Sequence, residues 1–222
     1  SFGRVLTDAD LRVDRRTGQV VSVTANNEIV TQDVPKDPAL SAIVDKYTAL
    51  SAPIANRRIG ASTAPLTREP NPAGESVLGD IIADSQLAAT APDGFGNAVV
   101  AFMNPGGIRT DIDAGDITYG EAFAVQPFGN SLVVKTMTGA QIKAVLEQQF
   151  NSGANTVAAP KVLLPSRSLS YSYSLSAPAG SRITNLALNG TAMTDGTSYR
   201  VTMNSFLATG GDTRNTDTRL GQ

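Results

Sequence analysis

The 222-residue sequence contains no cysteine and no histidine. Without cysteine there is neither a disulfide framework nor a thiolate metal site, and cysteine pairing says nothing about the compartment. The lack of histidine excludes more. It removes His-based triads, imidazole general bases and nearly every zinc, copper or non-haem iron site, so any metal ligation would fall to carboxylate oxygens. Strong charge of either sign is also missing. Eighteen basic against twenty acidic side chains leave a net charge of −2, with no sequence-wide field to draw the chain to nucleic acid or an anionic membrane. No run of about 18 apolar residues reads as a membrane-spanning helix.

What is present suits a globular core: 41% of residues are hydrophobic, enough for one large domain or one domain with an appendage. The opening "SFGRVLTDADLRVDRRTG" lacks the basic-then-apolar order of a signal peptide. Val5, Leu6, Leu11 and Val13, an Arg-Thr-Gly turn and the returning "QVVSVTA" predict a hairpin entered in mid-course, as in a piece cut from a longer chain. Asp37 as N-cap and Pro38 at the first position start a helix over 38–52. Its single stripe of Leu40, Ile43, Val44, Tyr47 and Leu50 predicts that it lies on something. Pro53 and "ANRRIGASTAPL" read as a hinge or linker before a new unit near residue 59.

From Glu75 a second helix places Val77, Leu78, Ile81 and Ile82 on one face. "NAVVAFMN" reads as a buried strand and "NSLVVKTMT" as another. "TGAQIKAVLEQQF" is a helix capped by Thr138 with Ile142, Val145 and Leu146 inward. "LSYSYSLS" alternates as a strand, "RITNLALNGTAM" turns as a hairpin at Asn189-Gly190, and "SYRVTMNSFLA" supplies the last strand. Residues 151–160, "NSGANTVAAP", read as a flexible loop. Frequent hairpins without strict βαβ alternation predict an α+β domain: a mixed β-sheet with flanking helices.

Four features could carry chemistry. Asn104 and Arg109 flank a Gly106-Gly107 turn at the end of a buried strand, where glycines let backbone approach a ligand; a simple turn explains them as well. Phe128, between proline and glycine in "QPFGN", is either a ring held outward on a stiff loop or a core aromatic. "NSFLATGGD" delivers Asp212 after a short helical turn, as an acceptor for vicinal hydroxyls or as a solvated helix stop. Arg68, in "LTREPNPAGES", is a solvated loop residue or a cation for phosphate. Taken together, two loop phenylalanines, an amide, a carboxylate and arginines are what a nucleotide site requires: faces for a base, acceptors for ribose and cations for phosphate.

"ESVLGDIIAD", "NPGGIR", "GDITYGEAFAVQPFGNSLVVKTMTGAQIKAVLE" and "NSFLATGGD", in this order and spacing, resemble the C-terminal domain of the 5'-nucleotidase family. That family includes UDP-sugar hydrolases and 2',3'-cyclic-nucleotide phosphodiesterases. The resemblance implies that residues 1–36 are closing strands of an N-terminal metallophosphatase domain missing from this chain, 37–58 an interdomain helix and linker, and 59–222 the nucleotide-binding domain. It further implies that Phe128 and Phe206 sandwich the base, that Asn104 meets the base edge, and that Asp212 takes the ribose hydroxyls. Arg109 and Arg68 would face phosphate, and Gly106 and Gly107 would shape the turn between.

On the same resemblance, the parent protein is a secreted hydrolase of phosphoric esters, extracellular, cell-wall or periplasmic. Two divalent metal ions sit in the missing N-terminal domain, and this chain has no catalytic or metal-binding residues and no cofactor of its own. Its partners would be a nucleotide or nucleoside and that N-terminal domain, with no nucleic acid and no membrane span. Two other readings remain open: a cell-surface interaction or structural module that keeps the fold without binding nucleotide, and a related cyclic-nucleotide or nucleotide-sugar phosphoesterase.

Overall fold

The computed structural model describes residues 3–213. Contacts divide the chain into two units, Ser1–Ala52 and Pro53–Gln222. In the first, β1 (Val5–Val13) and β2 (Val20–Ile29) form the predicted antiparallel hairpin, with Val5 opposite Ile29. Asp14 closes its turn: Oδ1 accepts from the N–H groups of Arg16 and Thr17 at 2.7 and 3.1 Å, and Gly18 takes the left-handed φ of +70°. Helix α1 (Pro38–Ala55) starts at the predicted cap, where Asp37 Oδ1 accepts from Ala39 and Leu40 N–H. It runs on through Pro53, which sits close enough to the C-terminus that few helical hydrogen bonds are left for it to interrupt. The stripe expected to lie on something is open: no residue of α1 is buried, and both faces of the hairpin are exposed.

The second unit runs β3 (Arg58–Ser62), α2 (Val77–Thr90), β4 (Val100–Met103), a 3-10 turn (Pro105–Gly107), β5 (Gly115–Thr118) and α3 (Tyr119–Val125). It continues with β6 (Leu132–Thr138), α4 (Gly139–Glu147), β7 (Leu164–Pro165), β8 (Leu169–Tyr173), β9 (Ile183–Leu188), β10 (Thr191–Ala192), β11 (Ser198–Asn204) and α5 (Ser205–Ala208). The central sheet has the order β6-β11-β4-β7. β11 is parallel to β4 and antiparallel to β6, so the sheet is mixed, as its hairpin-rich sequence predicts. β10-β9-β8 form a second, antiparallel sheet, and β3 pairs with β5. Asn189 and Gly190, with φ of +49° and +78°, make the β9-β10 turn at the predicted dipeptide.

Helix α2 is capped by Ser76, whose hydroxyl accepts from Gly79 N–H at 3.3 Å. Its inward residues are Leu78, Gly79, Ala83, Gln86 and Thr90, whereas Val77 and Ile81, expected inside, are exposed. The cause is a close approach: a Cβ on Gly79 would fall well inside van der Waals contact with Leu164 of β7, so the glycine side of the helix faces the sheet. Helix α4 buries Ile142, Val145 and Leu146 as predicted, against a core that includes Phe102, Phe150, Ile183, Val201 and Met203. A second cluster joins Leu78, Met103, Ile108, Val125 and Leu164 beneath the 3-10 turn.

Candidate functional site

Three of the singled-out motifs come together because of strand direction. β4 and β11 are parallel neighbours, with Met203 opposite Phe102, so "NPGGIR" and "NSFLATGGD" both leave the sheet at the carboxyl ends of adjacent strands. β6 runs antiparallel to β11 with Leu132 opposite Asn204, which brings "QPFGN", the segment entering β6, to the same edge. Ligands of open sheets commonly bind at such an edge.

The two rings stand at this edge unburied, Phe128 50% and Phe206 48% exposed. Their carriers are laced together: Ser205 N–H donates to the Ser131 carbonyl at 2.8 Å, Ser131 N–H to Ser205 Oγ at 3.3 Å, and Ser205 Oγ to Asn130 Oδ1 at 3.2 Å. The Arg109 guanidinium lies 5.9 Å from the centroid of the Phe128 ring. Phe206 is backed by Gly211, where any side chain would collide with its ring edge. The core-aromatic alternative for Phe128 is therefore set aside by its exposure.

Arg109 is exposed, donates from Nη1 to the Gly106 carbonyl at 3.1 Å and is fixed by its own N–H bond to Val125 at 2.9 Å. Arg68 meets it directly: Nη1 donates to the Arg109 carbonyl at 2.9 Å, while the Arg68 N–H donates to Asp111 Oδ1 at 2.7 Å. Arg68 is thus tied to the main chain of Arg109, from a segment 41 positions away. Gly107 is buried, and a Cβ there would lie 2.6 Å from Met103 Cε. Gly106 is exposed, and its Cβ position lies 3.6 and 3.8 Å from the two carboxylate oxygens of Asp212. A side chain would fit there but would cover the carboxylate.

Asn104 is placed differently from the other predicted residues. It is 2% exposed; its Oδ1 accepts from Asn204 Nδ2 and its Nδ2 donates to Asp212 Oδ2, both at 2.8 Å. Asn204 in turn caps α5, accepting from Leu207 N–H at 2.8 Å. Asn104, just past β4, and Asn204, the last residue of β11, form a buried bridge ending on the Asp212 carboxylate. Two residues that sequence reasoning missed complete the surroundings of Asp212. Lys161 Nζ donates to Oδ1 at 2.8 Å, and Asn155 Nδ2 donates to the Asp212 main-chain carbonyl at 3.0 Å. Both belong to the segment read as flexible from 151 and its continuation. Asn155 is buried there, donates also to the Gln148 carbonyl at 3.2 Å, and pairs in a bridge with Ser152. Nothing in hydrophobic period or turn signals marks either residue, because their partner lies more than fifty positions away.

Among the described residues no group of three or more carboxylates is arranged to hold a metal ion, so the side chains here do not fit a dimetal centre. No helix among them is long and apolar enough to cross a membrane. The arrangement offers exposed aromatic faces, two arginines joined through the Arg109 main chain, and an oriented carboxylate.

Comparison with known proteins agrees with the fold. Residues 58–217 match the model of the "5'-nucleotidase, C-terminal domain". The chain is 34% identical over 221 residues to the Trifunctional nucleotide phosphoesterase protein YfkN of Bacillus subtilis, covering 95% of this chain and 15% of that protein. It is 30% identical over 232 residues to Cell wall protein Lmo0130 of Listeria monocytogenes, covering 95% of this chain and 28% of that one. Among solved structures, a 5'-nucleotidase precursor from Thermus thermophilus superposes with a TM-score of 0.71 at 29% identity, over 96% of this chain and 42% of that one. The chain belongs to the 5'-nucleotidase C-terminal domain family. It spans less than a third of the length of the two curated relatives.

Proposed function

We propose that the chain is the substrate-binding domain of a 5'-nucleotidase-type phosphohydrolase and that its ligand is a nucleotide. The observation that carries this reading is the convergence of Phe128, Phe206, Arg109 and Asp212 at one edge of the central sheet. The exposed faces of Phe128 and Phe206 hold the base, and Asp212 accepts from the ribose hydroxyls. Arg109 and its neighbour Arg68 attract phosphate, and Gly106 leaves the carboxylate open to approach. Asn104 enters as the residue that holds Asp212 in place, since burial keeps its amide from a base edge.

In this proposal residues 1–36 close an N-terminal metallophosphatase domain, 37–58 connect it and 59–222 bind substrate. Phosphate-ester hydrolysis belongs to the upstream domain, where two divalent metals would activate water and stabilise phosphoryl oxygens. This chain binds and orients nucleotide and leaves it intact. A relative that is a cell-wall protein supports placing the parent outside the cytoplasm.

Calorimetry with AMP, adenosine and UDP-glucose tests the reading. Saturable binding is expected, with Phe206→Ala weakening it roughly tenfold or more, since an aromatic face contributes about 1–3 kcal/mol per base. Equal affinity in wild type and variant would remove the stacking role, and no binding by the wild type would favour an interaction module that keeps the fold alone.

A further inference from the structure

Asp212 has an unusual backbone for a non-glycine residue: φ is +55° and ψ +31°, in the left-handed region. Aspartate tolerates this region better than most residues, yet a single conformation there persists only when surrounding contacts fix it. Four groups are arranged to do so. Asn155 Nδ2 holds the main-chain carbonyl, Lys161 Nζ holds Oδ1 and Asn104 Nδ2 holds Oδ2, with Asn204 securing Asn104 from behind. Among the described residues Lys161 donates to one carboxylate oxygen and Asn104 to the other, which fixes the plane of the carboxylate as well as its position. The side chain is 10% exposed, so that plane decides which way its accessible edge points.

We infer that the 155–161 loop is a positioning device for Asp212, with Lys161 and Asn155 setting the selectivity of the site for an intact ribose diol. Neither residue is required to touch ligand. Vicinal hydroxyls donate two hydrogen bonds at a fixed separation, so they reward a carboxylate held in one plane and lose one bond when it rotates. Lys161 reaches Asp212 from a loop whose other anchor, Asn155, is buried, so orientation of the carboxylate and conformation of the loop are set together.

The inference rests on the reading of Asp212 as the ribose acceptor, and the test separates the two. Binding of adenosine and of 2',3'-dideoxyadenosine to the 222-residue chain is measured by calorimetry; using nucleosides keeps phosphate electrostatics out of the comparison. Wild type prefers adenosine, and Asp212→Ala loses that preference. Lys161→Met lowers it roughly tenfold, the loss of one charge-assisted hydrogen bond, with dideoxyadenosine affinity unchanged. Lys161→Arg, which retains a cationic donor, keeps most of the preference. Should Lys161→Met unfold, Lys161→Gln, which keeps a neutral donor, carries the comparison and shows an intermediate preference. A wild-type preference in the Lys161 variants, alongside its loss in Asp212→Ala, overturns the inference and leaves the ribose reading intact. A parallel loss of affinity for both nucleosides overturns it as well, by showing a general structural role. Equal binding of both nucleosides by the wild type removes the ribose reading, and the inference falls with it.

Discussion

Burial raises the carboxyl of Asp80, in the first turn of α2, from 3.8 to about 6, and the like charges of Glu75 and Asp84 push in the same direction. Among the described residues its Oδ1 has no hydrogen-bond partner. An acid whose pKa is higher in the folded state binds more protons there than when unfolded. The folded state is therefore favoured at low pH, and that advantage is lost as pH rises from about 4 through 6. Asp80→Asn should stabilise the chain near neutral pH by about 1 kcal/mol, a figure discounted from the full shift because the group is only partly buried. Urea unfolding at a series of pH values should show this gain shrinking through pH 6 and gone near pH 4. A gain that persisted undiminished at pH 4 would point to a cause other than ionisation.

At the scale of elements, the start of α4 shows how completely a helix end can be satisfied. The N–H of Gly139 bonds to the Thr197 carbonyl at 3.0 Å, that of Ala140 to Asp195 at 3.2 Å, and that of Gln141 to Thr138 Oγ1 at 3.2 Å. The Thr138 N–H in turn donates to Gln141 Oε1 at 2.8 Å, completing a capping box. Thr138→Ala is expected to cost about 1 kcal/mol. Gly139→Ala should cost more, roughly 2 kcal/mol, because its Cβ would press into the Thr194 main chain, which cannot rotate aside. Chemical denaturation of the two variants tests that order, and a larger loss in Thr138→Ala would reverse it.

The cap of α4 is legible in sequence because Thr138 stands before a long apolar period. Helix α3 has an equal signal in Thr118 and Glu121, whose carboxyl is held below its usual range by the Thr118 backbone and side chain. That helix is hard to read because its seven residues carry too short a period, and because glycine and proline on either side suggest turns. The β3–β5 pair is illegible for a different reason. Each strand is short and glycine-bearing, and what defines it is a partner more than fifty residues away. The candidate site divides along the same line. Phe128, Phe206 and Arg109 sit in compact local motifs and can be named from them. The true setting of Asn104, and the very existence of Asn155 and Lys161 as neighbours of Asp212, depend on which strands lie side by side.

For the whole molecule, the contrast is between the two units taken separately. Residues 5–55 form regular hairpin and helix yet bury none of their side chains, whereas β4 and β11 are interior strands whose residues are almost all covered. Local opening free energy follows buried apolar contact, so amide exchange should be fastest in β1, β2 and α1 and slowest in β4 and β11. Hydrogen exchange read by mass spectrometry would show it. Protection of the hairpin equal to that of β11 would mean that something other than burial stabilises it.

β11 is the last strand of the described chain to be synthesised, yet it occupies the middle of the central sheet, between β6 and β4. Asn104 leaves the ribosome one hundred residues ahead of Asn204, an interval of roughly 5–20 s at ordinary rates of translation. Until β11 is made, β4 lacks its neighbour on that side, β6 has no partner in the sheet, and Asp212 is absent. The edge that gathers the two rings and Asp212 therefore cannot be complete until β11 has been made and lies between β6 and β4. A nascent chain halted before residue 198 would leave that side of β4 uncovered and β6 unpaired, two openings for contact with another chain.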